Sequence, residues 1–146
     1  MENEQLIQNF SDAVSSIKGE LNTDIVGQEE VIDSVVIAII AGGNVLLEGV
    51  PGTGKTRLVR SLGQTLSLPF SRIQFTPDLM PNDVTGTNIS RKDEDGNLVT
   101  TVQKGPIFAQ IILADEINRA TPKTQSAMLE VMQEHKVTVS GTTYVM

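Results

Sequence analysis

A chain of 146 residues is one domain's worth, and its 39% hydrophobic content is enough for a core. The absence of cysteine excludes disulfides and thiolate metal sites, and one histidine, His135, cannot build a histidine metal cluster. A formal charge of -7, 3% aromatic residues and no tryptophan supply neither an attracting field nor stacking platforms, so no nucleic acid is expected as a partner.

The chain opens MENEQLIQNF, acidic and amphipathic, unlike the basic start and apolar run of a secretory signal. Leu6, Phe10, Val14, Ile17 and Leu21 form a stripe at helical spacing, with Gly19 near the helix end and an irregular link over 22–27. Residues 1–24 are thus expected as an N-terminal helix and linker. A second helix carries Val31, Ile32, Val35, Val36, Ile39 and Ile40 on one face and stops at Gly42-Gly43. The longest apolar run, Val35 to Ala41, is too short to cross a bilayer, so no membrane span and a cytoplasmic location are expected.

The short apolar stretch Asn44 to Glu48 reads as a buried strand. A glycine-rich loop follows, then a helix with Leu58, Val59, Leu62 and Leu66 on its apolar face, ended by Pro69. Phe70 to Phe75 predicts a second strand, and Thr76 to Asp83, rich in Pro and Asp, a loop. Asp95-Gly96 between Ile89–Lys92 and Leu98–Val102 signals a hairpin with Asp93, Glu94 and Asp95 at its solvated tip. Ile111 to Ala114 is a wholly apolar strand. Thr121-Pro122 is a helix start, Thr as cap and Pro at the first position, before a buried face of Ala127, Met128, Val131 and Met132. His135 ends that helix, and Val137–Val139 with Thr143–Val145 forms a second hairpin. Alternating strands and helices imply an α/β layered domain with a parallel sheet.

Gly49-Val50-Pro51-Gly52-Thr53-Gly54-Lys55-Thr56 satisfies the phosphate-loop pattern in full, after an apolar stretch and before an amphipathic helix. Its glycines let backbone amides turn inward around a phosphate, and the following helix directs its positive end at the same anion. Lys55 supplies a charge to the β- and γ-phosphates, and Thr56 a hydroxyl to magnesium. Asp115-Glu116 directly follows the apolar strand, at the edge where parallel sheets bind ligands. Asp115 suits magnesium held through a water, and Glu116 suits polarisation of an attacking water; the bland reading is a solvated turn with a capping aspartate. No N-K-x-D sequence reads guanine, and a small-molecule kinase needs no glutamate beside water, so ATP hydrolysis leads.

The stretches GNVLLEGVPGTGKT, FTPDLMPNDVTGT, KGPIF and ADEINRATPKTQSAMLEVMQE closely resemble the MoxR family of AAA+ ATPases, from about Ile25 onward. The resemblance implies a P-loop NTPase fold, a three-layer α/β sandwich with a mostly parallel sheet. It also implies ATP and Mg2+ as cofactors, a helix-2 insertion over about 76–106 and a pre-sensor-1 hairpin over about 136–146. Ile25, Val26 and Gly27 are expected beside the adenine, and the phosphate-loop residues with Arg57 around the phosphates. Lys55 and Glu116 are the catalytic pair, and Thr56 and Asp115 the metal positions. Thr76 or Gln74 is either a restraint on the catalytic glutamate or an ordinary strand-end residue. Arg119 either reaches a neighbouring subunit or pairs with acidic residues on its own surface.

The family pattern goes on beyond Met146 to a sensor strand, an arginine finger and a helical lid, so the chain reads as a core truncated before the sensor-1 strand. The missing strand belongs between the strands preceding Gly49 and Asp115. Those two are therefore expected to pair directly, leave a gap or borrow a strand. The implied function is ATP hydrolysis driving chaperone-like remodelling of client proteins by a homo-oligomeric ring, often a hexamer, with a von Willebrand factor A domain partner. The alternatives are a nucleotide-binding piece with little hydrolysis of its own and a nucleic-acid motor of the AAA+ class.

Overall fold

The apolar periodicities resolve into twelve short elements in a computed structural model that describes residues 2–49, 52, 54–93 and 95–146. The chain divides into two units, Met1–Leu68 and Pro69–Met146.

The first unit is helical. Helix α1 (Glu2–Asp24) packs against α2 (Glu29–Ile40) and α3 (Lys55–Thr65). Leu21, Ile25, Ile32, Val35, Val36, Leu58, Val59 and Leu62 are its buried apolar residues. Lys18 Nζ meets Asp33 Oδ1 at 2.9 Å between α1 and α2. Ser61 Oγ on α3 donates to Asp24 Oδ2 at the end of α1, 2.6 Å away. Helix α1 runs past Gly19 and through Asp24, three residues into the irregular link expected over 22–27. One exposed glycine costs a helix only about 1 kcal/mol, and the burial of Leu21 in the next turn offsets that. The first half of the expected stripe stays open, with Leu6 and Phe10 more than half exposed.

The predicted strand at Asn44 to Glu48 is not formed. The segment takes no regular secondary structure, and Leu46 is 80% exposed. A buried parallel strand is held by neighbours that take up its amides and carbonyls, and no described strand does so here.

In the second unit β1 (Phe70–Gln74) pairs in parallel with β4 (Ile111–Asp115), in register from Phe70 opposite Ile111 to Gln74 opposite Asp115. Between them lie α4 (Pro81–Thr85) and the antiparallel hairpin of β2 (Gly86–Lys92) and β3 (Leu98–Lys104). After β4 come a 3-10 turn (Ile117–Arg119), α5 (Pro122–Glu134) and the hairpin of β5 (Lys136–Val139) and β6 (Thr142–Val145). The expected loop over Thr76 to Asp83 gives way to α4 at its far end. There Pro81 and Asp83 act as helix-start residues, Asp83 Oδ2 accepting the Met80 amide at 2.8 Å.

The core of this unit gathers Ile73, Phe75, Val84, Ile107, Ala120, Met128, Val137 and Val139. Thr124, fully buried on α5, donates to the Leu79 carbonyl at 2.8 Å and secures α5 to the segment before α4. Two glycines close the base of the first hairpin. Gly86 has φ 94°, and a Cβ built there would collide with the Gln103 carbonyl and come 2.6 Å from the Gly105 amide nitrogen. Glu94 lies outside the described residues; around it Asp93 Oδ1 accepts the amides of Asp95 and Asn97 at 3.0 and 2.8 Å, so the chain turns where expected.

Candidate phosphate loop and acidic pair

The phosphate loop belongs to the first unit and the acidic pair to the second. Val50, Pro51 and Thr53 lie outside the described residues; Gly49, Gly52, Gly54, Lys55, Thr56 and Arg57 lie within them. Gly52 and Gly54 have φ of 85° and 80°, a left-handed backbone that glycine takes without a Cβ penalty. Among the described residues, nothing stands within 4 Å of where a Cβ would sit at either. Gly54 is the N-cap of α3, and Lys55 and Thr56 are its first two residues. The first turn of α3 holds no acidic side chain of its own. Lys55 Nζ donates to the Gly49 carbonyl at 2.6 Å, folding back across the loop it is expected to serve. Arg57 is exposed on the same turn.

Of the three residues expected beside adenine, Ile25 is buried in the core of its unit, at 5% exposure, whereas Val26 is exposed at 86%. Gly27 turns the chain with φ 78° and lines a shallow depression of about 410 Å³ with Gln28, Glu29, Glu30 and Val31.

Asp115 is the last residue of β4, and Glu116 leaves the strand in a left-handed conformation, φ 55° and ψ 40°. The turn is fixed behind it by Gln125 Nε2, which donates to the Ile117 carbonyl at 3.2 Å. Thr121 caps α5 by accepting the Thr124 amide, with Pro122 at the first position, as the sequence predicts. Each carboxylate of the pair meets an arginine. Arg72 Nη2 on β1 lies 2.6 Å from Asp115 Oδ2 and donates also to Gln74 Oε1 at 2.7 Å. Arg119 Nη1 lies 2.8 Å from Glu116 Oε2, so of its two readings the structure shows the surface pair.

Arg72 has no local sequence signal, because its partner is 43 residues away and only the register of two parallel strands brings them together. Gln74 is engaged by Arg72. The Thr76 hydroxyl donates to Asp78 and, with the Asp78 amide, holds that carboxyl below its ordinary value of 3.8.

The donor set fits a hard cation. Thr56 in the first unit and Asp115 in the second, the two positions expected to hold metal, each offer oxygen, the donor that suits Mg2+. Among the described residues no cluster of three or more His, Cys, Asp or Glu could hold a metal unaided, so phosphate oxygens and water would complete the shell.

The fold is a truncated P-loop α/β fold, and the chain belongs to the ATPase family associated with various cellular activities (AAA), whose model matches residues 44–146. Within that family it is of the MoxR type. It is 46% identical over 127 residues to the chaperone MoxR1 of Mycobacterium tuberculosis, an alignment covering 87% of this chain and 33% of that protein. It is 49% identical over 123 residues to the uncharacterized protein YeaC of Bacillus subtilis, covering 84% and 38%. With the protein MoxR of Methylorubrum extorquens the identity is 32% over 144 residues, covering 95% and 41%. A solved protein from Cytophaga hutchinsonii, provisionally described as an ATPase, superposes with a TM-score of 0.85 at 44% identity, over 99% of this chain and 43% of that one. The chain therefore spans between a third and a half of the length of these relatives. No described helix is long and apolar enough to cross a membrane.

Proposed function

We propose that the chain binds ATP with Mg2+ through Gly49 to Thr56, and that the whole protein hydrolyses it to drive remodelling of client proteins. The left-handed turn at Gly54 carries this reading, because it delivers Lys55 and Thr56 into the first turn of α3, where a helix start suits an anion. Lys55 holds the terminal phosphates as a point charge. Thr56 and Asp115 would hold the metal, whose chemistry is to neutralise charge on the phosphate oxygens. Glu116 orients the attacking water and takes its proton. The adenine lies near Val26 and Gly27, in keeping with their exposure and with the family resemblance. Assembly into a ring, a von Willebrand factor A domain partner and a cytoplasmic setting follow from the same resemblance, and the chaperone name of the mycobacterial relative supports a protein client.

The test is nucleotide affinity of this chain, read with a fluorescent ATP analogue. Lys55→Ala is expected to weaken binding about tenfold or more, as loss of a charge-assisted contact to phosphate should. Equal affinity in the two chains would refute the assignment.

A further inference from the structure

The two arginines on the acidic pair are brought there by the backbone. In the parallel register Arg72 stands opposite Leu113 and Gln74 opposite Asp115. Residues two apart on a strand share a face, so Arg72, Gln74, Leu113 and Asp115 lie on one side of the β1–β4 pair, with Arg72 diagonal to Asp115. The same guanidinium nitrogen reaches Asp115 Oδ2 at 2.6 Å and Gln74 Oε1 at 2.7 Å. Gln74 thus steadies the arginine on the carboxylate. Around the turn, the left-handed Glu116 and the 3-10 turn after it fold Arg119 back onto Glu116 Oε2 at 2.8 Å.

The carboxylate expected to hold the metal and the carboxylate expected to polarise water are therefore both neutralised by cations from their own unit. A divalent cation approaching Asp115 meets a guanidinium on the oxygen it needs, and like charges repel. Neither pair is deeply buried. Arg72 and Asp115 side chains are 45% and 28% exposed, and Arg119 and Glu116 are 54% and 47% exposed. Such pairs are weak and readily exchanged.

We propose that Arg72 and Arg119 form a guanidinium latch that keeps Asp115 and Glu116 occupied until a metal–nucleotide complex displaces it. Both are positioning residues: they act on the reaction through the carboxylates they hold. The inference rests on the ATP-binding reading above and adds a gate to it. The gate sets metal affinity. With the latch closed, metal binding must also break an ion pair; with an arginine removed, the carboxylate is free to ligate.

Two measurements on the full chain test this. The first needs no nucleotide. A double-mutant cycle of Arg72→Gln and Asp115→Asn in urea unfolding is expected to show a coupling of about threefold in the unfolding constant. Independent effects of the two substitutions would overturn the latch. The second is the affinity for Mn2+ at saturating ADP, followed by the electron paramagnetic resonance signal of free Mn2+. Arg72→Gln and Arg119→Gln are each expected to tighten Mn2+ binding about threefold, and the pair about tenfold, whereas Arg72→Lys, which keeps the charge, stays close to the parent. Mn2+ bound with equal affinity by parent and Arg72→Gln chains would overturn the gate alone. No metal–nucleotide binding in either chain would overturn the gate and the ATP-binding reading together.

Discussion

The phosphate loop and the acidic pair carry the two halves of the proposed chemistry, and they are built on opposite plans. The loop acts through its backbone: two left-handed glycines, a helix start with no acidic side chain of its own, and a lysine folded onto the Gly49 carbonyl. The acidic pair acts through side chains. It ends a strand set by five register pairs, turns on a capped helix and is held by two arginines. A site made of amides needs particular residue types at fixed spacing, so it declares itself in a string of letters. A site made of side chains from distant segments depends on pairing, which the letters do not state.

The sharpest way to separate the halves is to change one and keep the other. Glu116→Gln in the whole protein is expected to slow ATP hydrolysis about 100-fold or more while nucleotide affinity holds, since general-base assistance commonly supplies that factor. Steady-state phosphate release alongside a binding titration decides it, and full turnover would return Glu116 to the status of a turn residue. The remaining tests concern the frame under the acidic pair. Ile107→Ala, at a fully buried position in the core of the second unit, is expected to destabilise by about 2–5 kcal/mol in urea melts. Gly86→Ala should cost about 1–3 kcal/mol from backbone strain, and more where the Cβ meets the Gln103 carbonyl. A neutral result there would mean that the hairpin base can open.

The smallest effect is one of pH. The Thr76 hydroxyl and the Asp78 amide lower the Asp78 pKa in the folded chain. A lowered folded value stabilises above the unfolded pKa, and that contribution disappears as pH falls through the folded one. The turn from Thr76 to Asp78 is therefore expected to loosen only below about pH 3.8, read as faster amide exchange at Asp78.

Legibility followed the same division. The left-handed turns at Gly52 and Gly54, the Asp95-Gly96 hairpin and the Thr121-Pro122 helix start were readable because each is a local device with a required residue. The strand expected at Asn44 to Glu48 was not, since apolar letters report a wish for burial and not whether a neighbour supplies the ladder. Residues 22–24 were read as link because their letters are polar, whereas the burial of Leu21 and Ile25 on either side of them is tertiary. Helix α4 hid in a stretch whose Pro and Asp serve loops and helix starts alike. Arg72 was missed altogether: a lone arginine in a strand is unremarkable until the register sets it diagonal to Asp115.

The left-handed backbone of Glu116 has a consequence for anyone seeking a sturdier version of this protein. That conformation costs an L-residue about 1–2 kcal/mol, which glycine does not incur. A selection for heat resistance alone would therefore drift toward glycine at this position and discard the carboxylate unnoticed. Under the role proposed for Glu116, toughness and turnover pull in opposite directions at residue 116, and a library ranked by melting temperature would place the variants without the carboxylate first.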